Sequence, residues 1–313
     1  VDYKNMKNKK IIFILIKLAI VIGLIVLLYK QINKIDNDDW HNLKVLRIDF
    51  IIYAFLLLFF NWGVEWLKWR NILDLIQIKG EKPILKIFQS FMAGILTGLL
   101  TPNMLGNFIG RMYYFDRKDR SNIILGTFIT NYSQFFASVF FGLISIIILR
   151  ETPWSITINQ NYFVLIILII SILLLFYFFI EKIKLKSLTR KVSYIYFVSL
   201  LTAKPSFRIK ILWLSIFRHF IFTLQFWLIF NAFEKAFDLD TFFWIWQIFL
   251  WTTLLPSLWF GKLIIRESMA LIVLGSIGYG QLEILTASVL LWLINLAIPS
   301  LLSLFICKQK LVK

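Results

Sequence analysis

Cysteine and histidine are almost missing from this chain. A single cysteine, Cys307, excludes an intrachain disulfide framework and any metal site built from several thiolates. Two histidines, His41 and His219, are too few for an imidazole cluster, so neither a metal nor another cofactor is expected. Charge is scarce too: 16% of residues are charged, against about a quarter in an ordinary soluble domain. No GxxxxGK[ST] loop is present, so any active transport would draw on a gradient or a partner.

What is abundant is apolar surface. Hydrophobic residues make up 59% of the 313 positions, with 12 Trp and 32 Phe, and the mean hydropathy is +0.78. Apolar runs of about 18 or more residues recur along the chain, long enough to cross a hydrocarbon core of about 30 Å. The reading is an all-α polytopic membrane protein, one transmembrane domain over 1–313. The net charge of +17 does not point to nucleic acid, because the basic residues lie between apolar runs, as the positive-inside rule places them. Membrane lipids are the expected partners; a membrane-protein partner or a homo-oligomer is left open.

Continuous spanning helices fit at about 11–29, 48–69, 121–149, 162–180, 209–231 and 283–306. The first follows Lys4, Lys7, Lys9 and Lys10 and lacks a small-residue cleavage pair, so it reads as a membrane helix, not a removable signal. Two further apolar stretches, about 84–115 and 243–280, are each interrupted by Pro, Gly and a charged residue. Lysine and arginine counts put the N-terminus, segment 68–86, Arg117–Arg120, the loop 181–208 and the C-terminus on the cytoplasmic side. Stretch 84–115 must then enter and leave from inside, and stretch 243–280 from outside. Within the basic loop, Val192 to Leu201 is apolar but too short to span, and reads as an interfacial helix. The expected location is the cytoplasmic (inner) membrane of a bacterial cell, multi-pass, with both termini cytoplasmic.

The interrupted stretches also match one another. Thr97 and Thr252, Gly106 and Gly261, and Arg111 and Arg266 are each separated by 155 positions, and Pro102 and Pro256 by 154. The expected architecture is therefore about six spanning helices plus two broken helical hairpins in an inverted-topology repeat, with halves at about 11–150 and 160–307. Such repeats place polar sites where helices break near the midplane. Pro102 and Pro256 remove backbone donors, while Gly106, Gly110 and Gly261 permit close approach.

Charged side chains at this depth pair or face a cavity. Arg111, Lys262 and Arg266, beside half-helix starts with exposed N–H groups, form a candidate phosphate site. Glu65 or Glu267 would take a cationic headgroup or pair with an arginine; a structural ion pair is the alternative for Glu65, and snorkelling for Lys262. Asn61, Glu65 and Lys68 share one helical face, as do Arg218 and Gln225. Asn103 at the first break joins the candidate binding residues with Asn61 and Arg218. Asn131, Gln134 and Asn295 carry amides that most often bridge helices, and His219 reads as a bundle contact.

Five segments together resemble the lysylphosphatidylglycerol synthase transmembrane family, also called the flippase-like domain. They are Asn61-Trp-Gly-Val-Glu65-Trp-Leu-Lys-Trp-Arg70, Leu100-Thr-Pro-Asn-Met-Leu-Gly106-Asn-Phe-Ile-Gly-Arg111, Leu214-Ser-Ile-Phe-Arg218 continuing to Gln225, Pro256 through Arg266-Glu-Ser, and Leu291-Trp-Leu-Ile-Asn295-Leu-Ala-Ile-Pro299. The resemblance implies a polytopic bundle that moves polar-headed lipids between leaflets, in some members fused to a soluble aminoacyltransferase. No such soluble domain is seen in this sequence, so lipid aminoacylation is not expected. The family pattern often has an acid where this chain has Asn107. The expected function is a non-enzymatic, flippase-like translocase of an anionic or aminoacylated lipid or lipid-linked molecule. The alternatives are an intramembrane lipid-modifying enzyme and a solute or ion transporter.

Overall fold

Helices with interior glycines and few internal charges can pack closely only if something covers their apolar faces, and here other helices and lipid share that role. The structure is a computed structural model. It describes residues 22, 26, 29, 43–76, 84–151, 160–179, 205–233, 239–256 and 261–307. Among them the regular elements are all helical: α1 (Ile48–Ile76), α2 (Ile84–Leu99), α3 (Gly106–Tyr113), α4 (Arg120–Leu149), α5 (Gln160–Phe179), α6 (Pro205–Asn231), α7 (Asp240–Leu254), α8 (Gly261–Ser276), α9 (Gln281–Trp292) and α10 (Ile298–Ile306). A π-helical turn, Leu293–Ala297, joins α9 to α10.

Among the described residues five helices are long and apolar enough to span: Ile48–Ile76, Arg120–Leu149, Tyr162–Phe179, Ser206–Asn231 and Gln281–Ile306. They correspond to five of the six expected spans, and the chain is a multi-pass membrane protein. The expected span at 11–29 falls mostly outside the described residues; Ile22, Val26 and Tyr29 are helical. The expected interfacial helix at 192–201 and its loop 181–208 lie outside them almost entirely.

Among the described residues the interior has two large apolar clusters at opposite ends, and a small third one where Val139 and Ile146 meet Ile166 and Leu250. At one end Ala54 and Leu58, early in α1, pack with Phe226–Phe233 at the close of α6 and with buried residues of α7, α8 and α9. At the other, Trp69–Ile76 of α1 pack with the start of α2, Tyr114, Phe115, Ile123, Ile211 and Cys307. Burial of each large side chain contributes roughly 1.5–3 kcal/mol relative to exposure to water. Asn61, Glu65 and Lys68 fall between Leu58 and Trp69 along α1, so the polar residues occupy the band between the clusters. Helix α5 lies at the periphery on α4, held by the Tyr132 hydroxyl on the Leu173 carbonyl (3.0 Å) and by stacked Tyr132 and Tyr177 rings.

Both interrupted stretches are helical hairpins. In the first, α3 doubles back on α2 at very short range. A Cβ on Gly106 would lie 2.0 Å from the Thr97 carbonyl oxygen, and one on Gly110 2.3 Å from that of Ala93. Only glycine fits there. The tip turns through a short 3-10 segment, Pro102–Met104, with Asn103 at φ 50 and Met104 at φ 56; such values are uncommon outside glycine, and asparagine tolerates them best. In the second, α7 ends where Leu255 turns extended (φ −73, ψ 133) before Pro256, as the ring of a following proline demands.

The hairpins open toward opposite ends of the bundle. Hairpin α2–α3 begins and ends in the cluster around Trp69, where Trp69 Nε1 donates to Ser90 Oγ (2.8 Å) and the Phe115 ring meets that of Trp69. Hairpin α7–α8 begins and ends at the other cluster. There Thr241 Oγ1 and the Tyr279 hydroxyl share a hydrogen bond of 2.9 Å, and Tyr279 abuts Phe230. This is the opposed arrangement that the charge pattern predicts.

Candidate functional site

Among the described residues, one carboxylate and three cations meet in the band between the clusters. Glu65 Oε1 accepts from Arg111 Nη2 at 2.9 Å, and Oε2 meets Lys68 Nζ at 3.0 Å and Arg218 Nε at 3.6 Å. Four charges from α1, α3 and α6 therefore converge, with two positive charges in excess. Arg111 lies over the Trp69 ring, 4.7 Å from its centroid, and Lys68 Nζ also reaches the Thr130 carbonyl (3.3 Å) and Gln134 Oε1 (3.4 Å). The side chains of Lys68 and Arg111 are 0% and 2% exposed, whereas Arg218 is 27% exposed. Buried ions of this kind persist only when paired and hydrogen-bonded.

Two adjoining cavities border this cluster. One, of about 250 Å³, lies between the hairpins: Gly98, Thr101 and Met104 face it from the first, and Thr252, Thr253 and Arg266 from the second. The other, of about 290 Å³, is lined by Glu65, Asn103, Asn107, Arg111 and Asn131. Met104, Gln134, Ser138, Arg218, Thr253, Asn295 and Leu296 line both. The volumes are at the small end for a ligand site.

Local sequence explains how the walls are built. Thr101 Oγ1 accepts from the Gly106 N–H and Thr97 Oγ1 donates to the Gly106 carbonyl, each at 2.6 Å. These threonines satisfy backbone groups that the broken helix would leave bare in lipid. The Gly106 N–H at the start of α3 is thereby occupied, contrary to the expectation of an open donor there. Pro299 has no N–H to offer the Asn295 carbonyl four residues earlier, which accounts for the widened turn at Leu293–Ala297. Asn295 is anchored there by a 2.6 Å bond to its Oδ1 from Asn61 Nδ2, which also reaches Gln225 Oε1 at 3.3 Å. Three helices are joined by amides, as such residues commonly do in membranes.

The candidate residues thus separate into groups. Glu65, Arg111, Arg218 and Asn103 line a cavity, and Arg266 lines the neighbouring one. Arg266 and Arg111 do not converge on a single point. Arg266 is held by its neighbour: Nη2 meets Glu267 Oε1 at 3.0 Å and the Ser288 carbonyl at 2.9 Å, and Nε donates to Ser288 Oγ at 3.1 Å. Glu267, bound also by Ser288 Oγ at 3.0 Å, lines neither cavity. Asn61 stands behind Asn295 and lines neither. Gly106 and Gly110 serve hairpin packing, and Pro256 ends α7; the side chains of Pro102 and Lys262 lie outside the description, and Gly261 begins α8. Sequence reasoning missed Lys68 as a third partner of Glu65, and missed Gln134, Ser138 and Asn295 as cavity walls. The shared face of Asn61, Glu65 and Lys68 was the available signal. His219 lines the first cavity with its ring stacked on Phe141 at 5.1 Å, Nδ1 3.3 Å from Ser138 Oγ.

Among the described residues no group of three or more His, Cys, Asp or Glu is placed to hold a metal ion. Comparisons with curated proteins and with solved structures return no match. A family model described as the lysylphosphatidylglycerol synthase TM region matches residues 14–303. Its match extends over the cation cluster, both hairpins and the widened turn, and so the chain belongs to the lysylphosphatidylglycerol synthase transmembrane-region family.

Proposed function

We propose that the chain is a non-enzymatic, flippase-like translocase that carries a polar-headed phospholipid or lipid-linked molecule between leaflets. The observation that carries this reading is the pair of adjoining cavities between two opposed hairpins, with polar residues among their apolar walls, beside a buried cluster with excess positive charge. In this reading each hairpin is re-entrant, so a headgroup in the cavities is reached from one membrane face along one hairpin and from the other face along the other. Broken helices in opposed repeats are the recurring way to build such a midplane site. The polar wall gives a headgroup hydrogen-bond partners, and membership in a family of lipid-handling membrane domains fits the same role. In this reading the bundle sits in the cytoplasmic membrane of a bacterium with both termini inside, as the lysine and arginine distribution favours.

The test is leaflet sidedness in vesicles. The protein is reconstituted with trace acyl-labelled phosphatidylglycerol, its lysyl ester or phosphatidylcholine, and a membrane-impermeant quencher is added. The bleached fraction should rise above the outer-leaflet share for at least one lipid, and only with protein present. Folded protein that leaves the distribution of every lipid unchanged would sink the proposal.

A further inference from the structure

Resting on that translocase reading, we infer that the site selects headgroups of net negative charge and turns away aminoacylated ones, with Arg218 as the side chain that takes the lipid phosphate in exchange for Glu65.

The three cations around Glu65 are not equivalent. Arg111 and Lys68 are almost wholly buried, contact the carboxylate at 2.9 and 3.0 Å, and have further partners in Thr130, Gln134 and the Trp69 ring. Arg218 is 27% exposed and stands 3.6 Å from Glu65 Oε2, beyond a good hydrogen bond. Its Nε, like that of Arg111, is buried with no hydrogen-bond partner among the described residues, but Arg111 keeps its short Nη2 bond to Glu65 and Arg218 has none. An unsatisfied guanidinium nitrogen is costly, and a phosphate oxygen would satisfy it, because the planar fork of arginine matches phosphate geometry. Arg218 lines both cavities, whereas Arg111 lines one and Lys68 neither. When Arg218 leaves, Glu65 keeps its two short partners. The exchange therefore exposes no bare carboxylate, the costly event in low dielectric.

Acid is what the site lacks. Among the described residues that line the cavities, Glu65 is the one carboxylate, and three cations already claim it. The next nearby acid along the second hairpin, Glu267, lines neither cavity; Arg266 and Ser288 hold its Oε1, and its Oε2 is buried without a hydrogen-bond partner among the described residues. A lysyl ester adds two ammonium groups to a diester phosphate and makes the headgroup a net cation. It would meet excess positive charge and, on the cavity walls, no carboxylate but the one the three cations share. A glycerol headgroup meets Arg218 for its phosphate and neutral groups such as Ser138, Thr253 and Asn295 for its hydroxyls.

Binding and movement are measured separately. In detergent, affinity for dihexanoyl-phosphatidylglycerol and for its lysyl ester is determined on the full chain, its Arg218→Gln and Arg218→Lys variants, and Asn107→Asp. Asn107→Asp adds a carboxylate to the cavity wall beside Arg111. The parent should bind phosphatidylglycerol at least tenfold more tightly than the lysyl ester. Arg218→Gln should lose at least tenfold for phosphatidylglycerol and little for the ester, Arg218→Lys should recover most of the loss, and Asn107→Asp should narrow the preference severalfold. Equal or reversed preference in the parent, or binding of neither lipid, overturns the inference. Parent-like affinity in Arg218→Gln overturns it as well. If Arg218→Gln does not fold, the Arg218→Lys and Asn107→Asp results decide, and a preference unmoved by Asn107→Asp counts against it. Discrimination in binding with no lipid moved in vesicles would remove the translocase reading while upholding the selectivity.

Discussion

Replacing Glu65 by glutamine is the most direct assault on the charged band. The amide keeps the shape and hydrogen-bonding capacity but deletes the negative charge that Arg111, Lys68 and Arg218 share. Removing one partner of a buried pair costs about 3–5 kcal/mol, because the charge left behind remains out of water. Two cations here fit that description, since Arg111 and Lys68 are 2% and 0% exposed, while Arg218 can turn toward the cavity. Their losses do not add, because one carboxylate serves both. The Thr130 carbonyl and the Trp69 ring also continue to hold them. The expected loss is therefore about 3–5 kcal/mol and not twice that. Reversible unfolding in mixed micelles as a function of SDS reads it. Adding Lys68→Met to Glu65→Gln should restore part of the loss, with a coupling of about 0.5–3 kcal/mol as for contacting residues. A single Glu65→Gln variant within about 0.5 kcal/mol of the parent, the range of neutral surface changes, would refute the picture of a shared buried carboxylate.

Two other outcomes follow from the packing. Gly110→Ala places a methyl 2.3 Å from both the Ala93 carbonyl and Thr97 Oγ1, and a helix carbonyl cannot step aside. The limbs of the first hairpin must part, at a cost of about 1–3 kcal/mol or more, read as a lower unfolding midpoint. Gly63→Ala meets nothing within 4 Å and should be neutral or stabilising, by up to about 1 kcal/mol, because glycine weakens a helix interior. Equal effects of the two changes would contradict the close approach. Burial pushes the Cys307 thiol above its usual range, so less thiolate is present at neutral pH. Maleimide should label it slowly in folded protein, faster as pH rises, and quickly after SDS unfolding; rapid labelling at pH 7 in the folded state would show the site to be open.

Much of the architecture is legible in the sequence because a membrane enforces simple rules. Apolar length marked the helices ending at Leu149 and Phe179 to within a residue or two, and the paired Pro and Gly marked both hairpins. Details set by long-range contact were not legible. Glu65 finds Arg218 across 153 positions, and no local spacing says which of several arginines will win that place. Arg266 and Glu267 are chain neighbours, a spacing at which helical side chains do not normally face each other. They meet directly, with Ser288 of another helix bound to both; the sequence left Glu267 between a cationic headgroup and an arginine partner, because that serine lies 21 positions away. The last span reads as one continuous helix because its apolar pattern is unbroken. The effect of Pro299 on a carbonyl one turn earlier leaves no trace in hydropathy.

That widened turn makes the final span a jointed rod. Above the joint, α9 holds Ser288 on the Arg266–Glu267 pair; below it, α10 runs along α2, where Gln89 Nε2 reaches the Ile306 carbonyl at 3.3 Å and the Cys307 thiol faces the Gln89 carbonyl at 3.5 Å. Asn295, tied to Asn61, sits at the elbow. Bending costs least where the hydrogen-bond ladder is already broken by proline. One span thus touches both hairpins, and the joint between its two halves is a wall of both cavities.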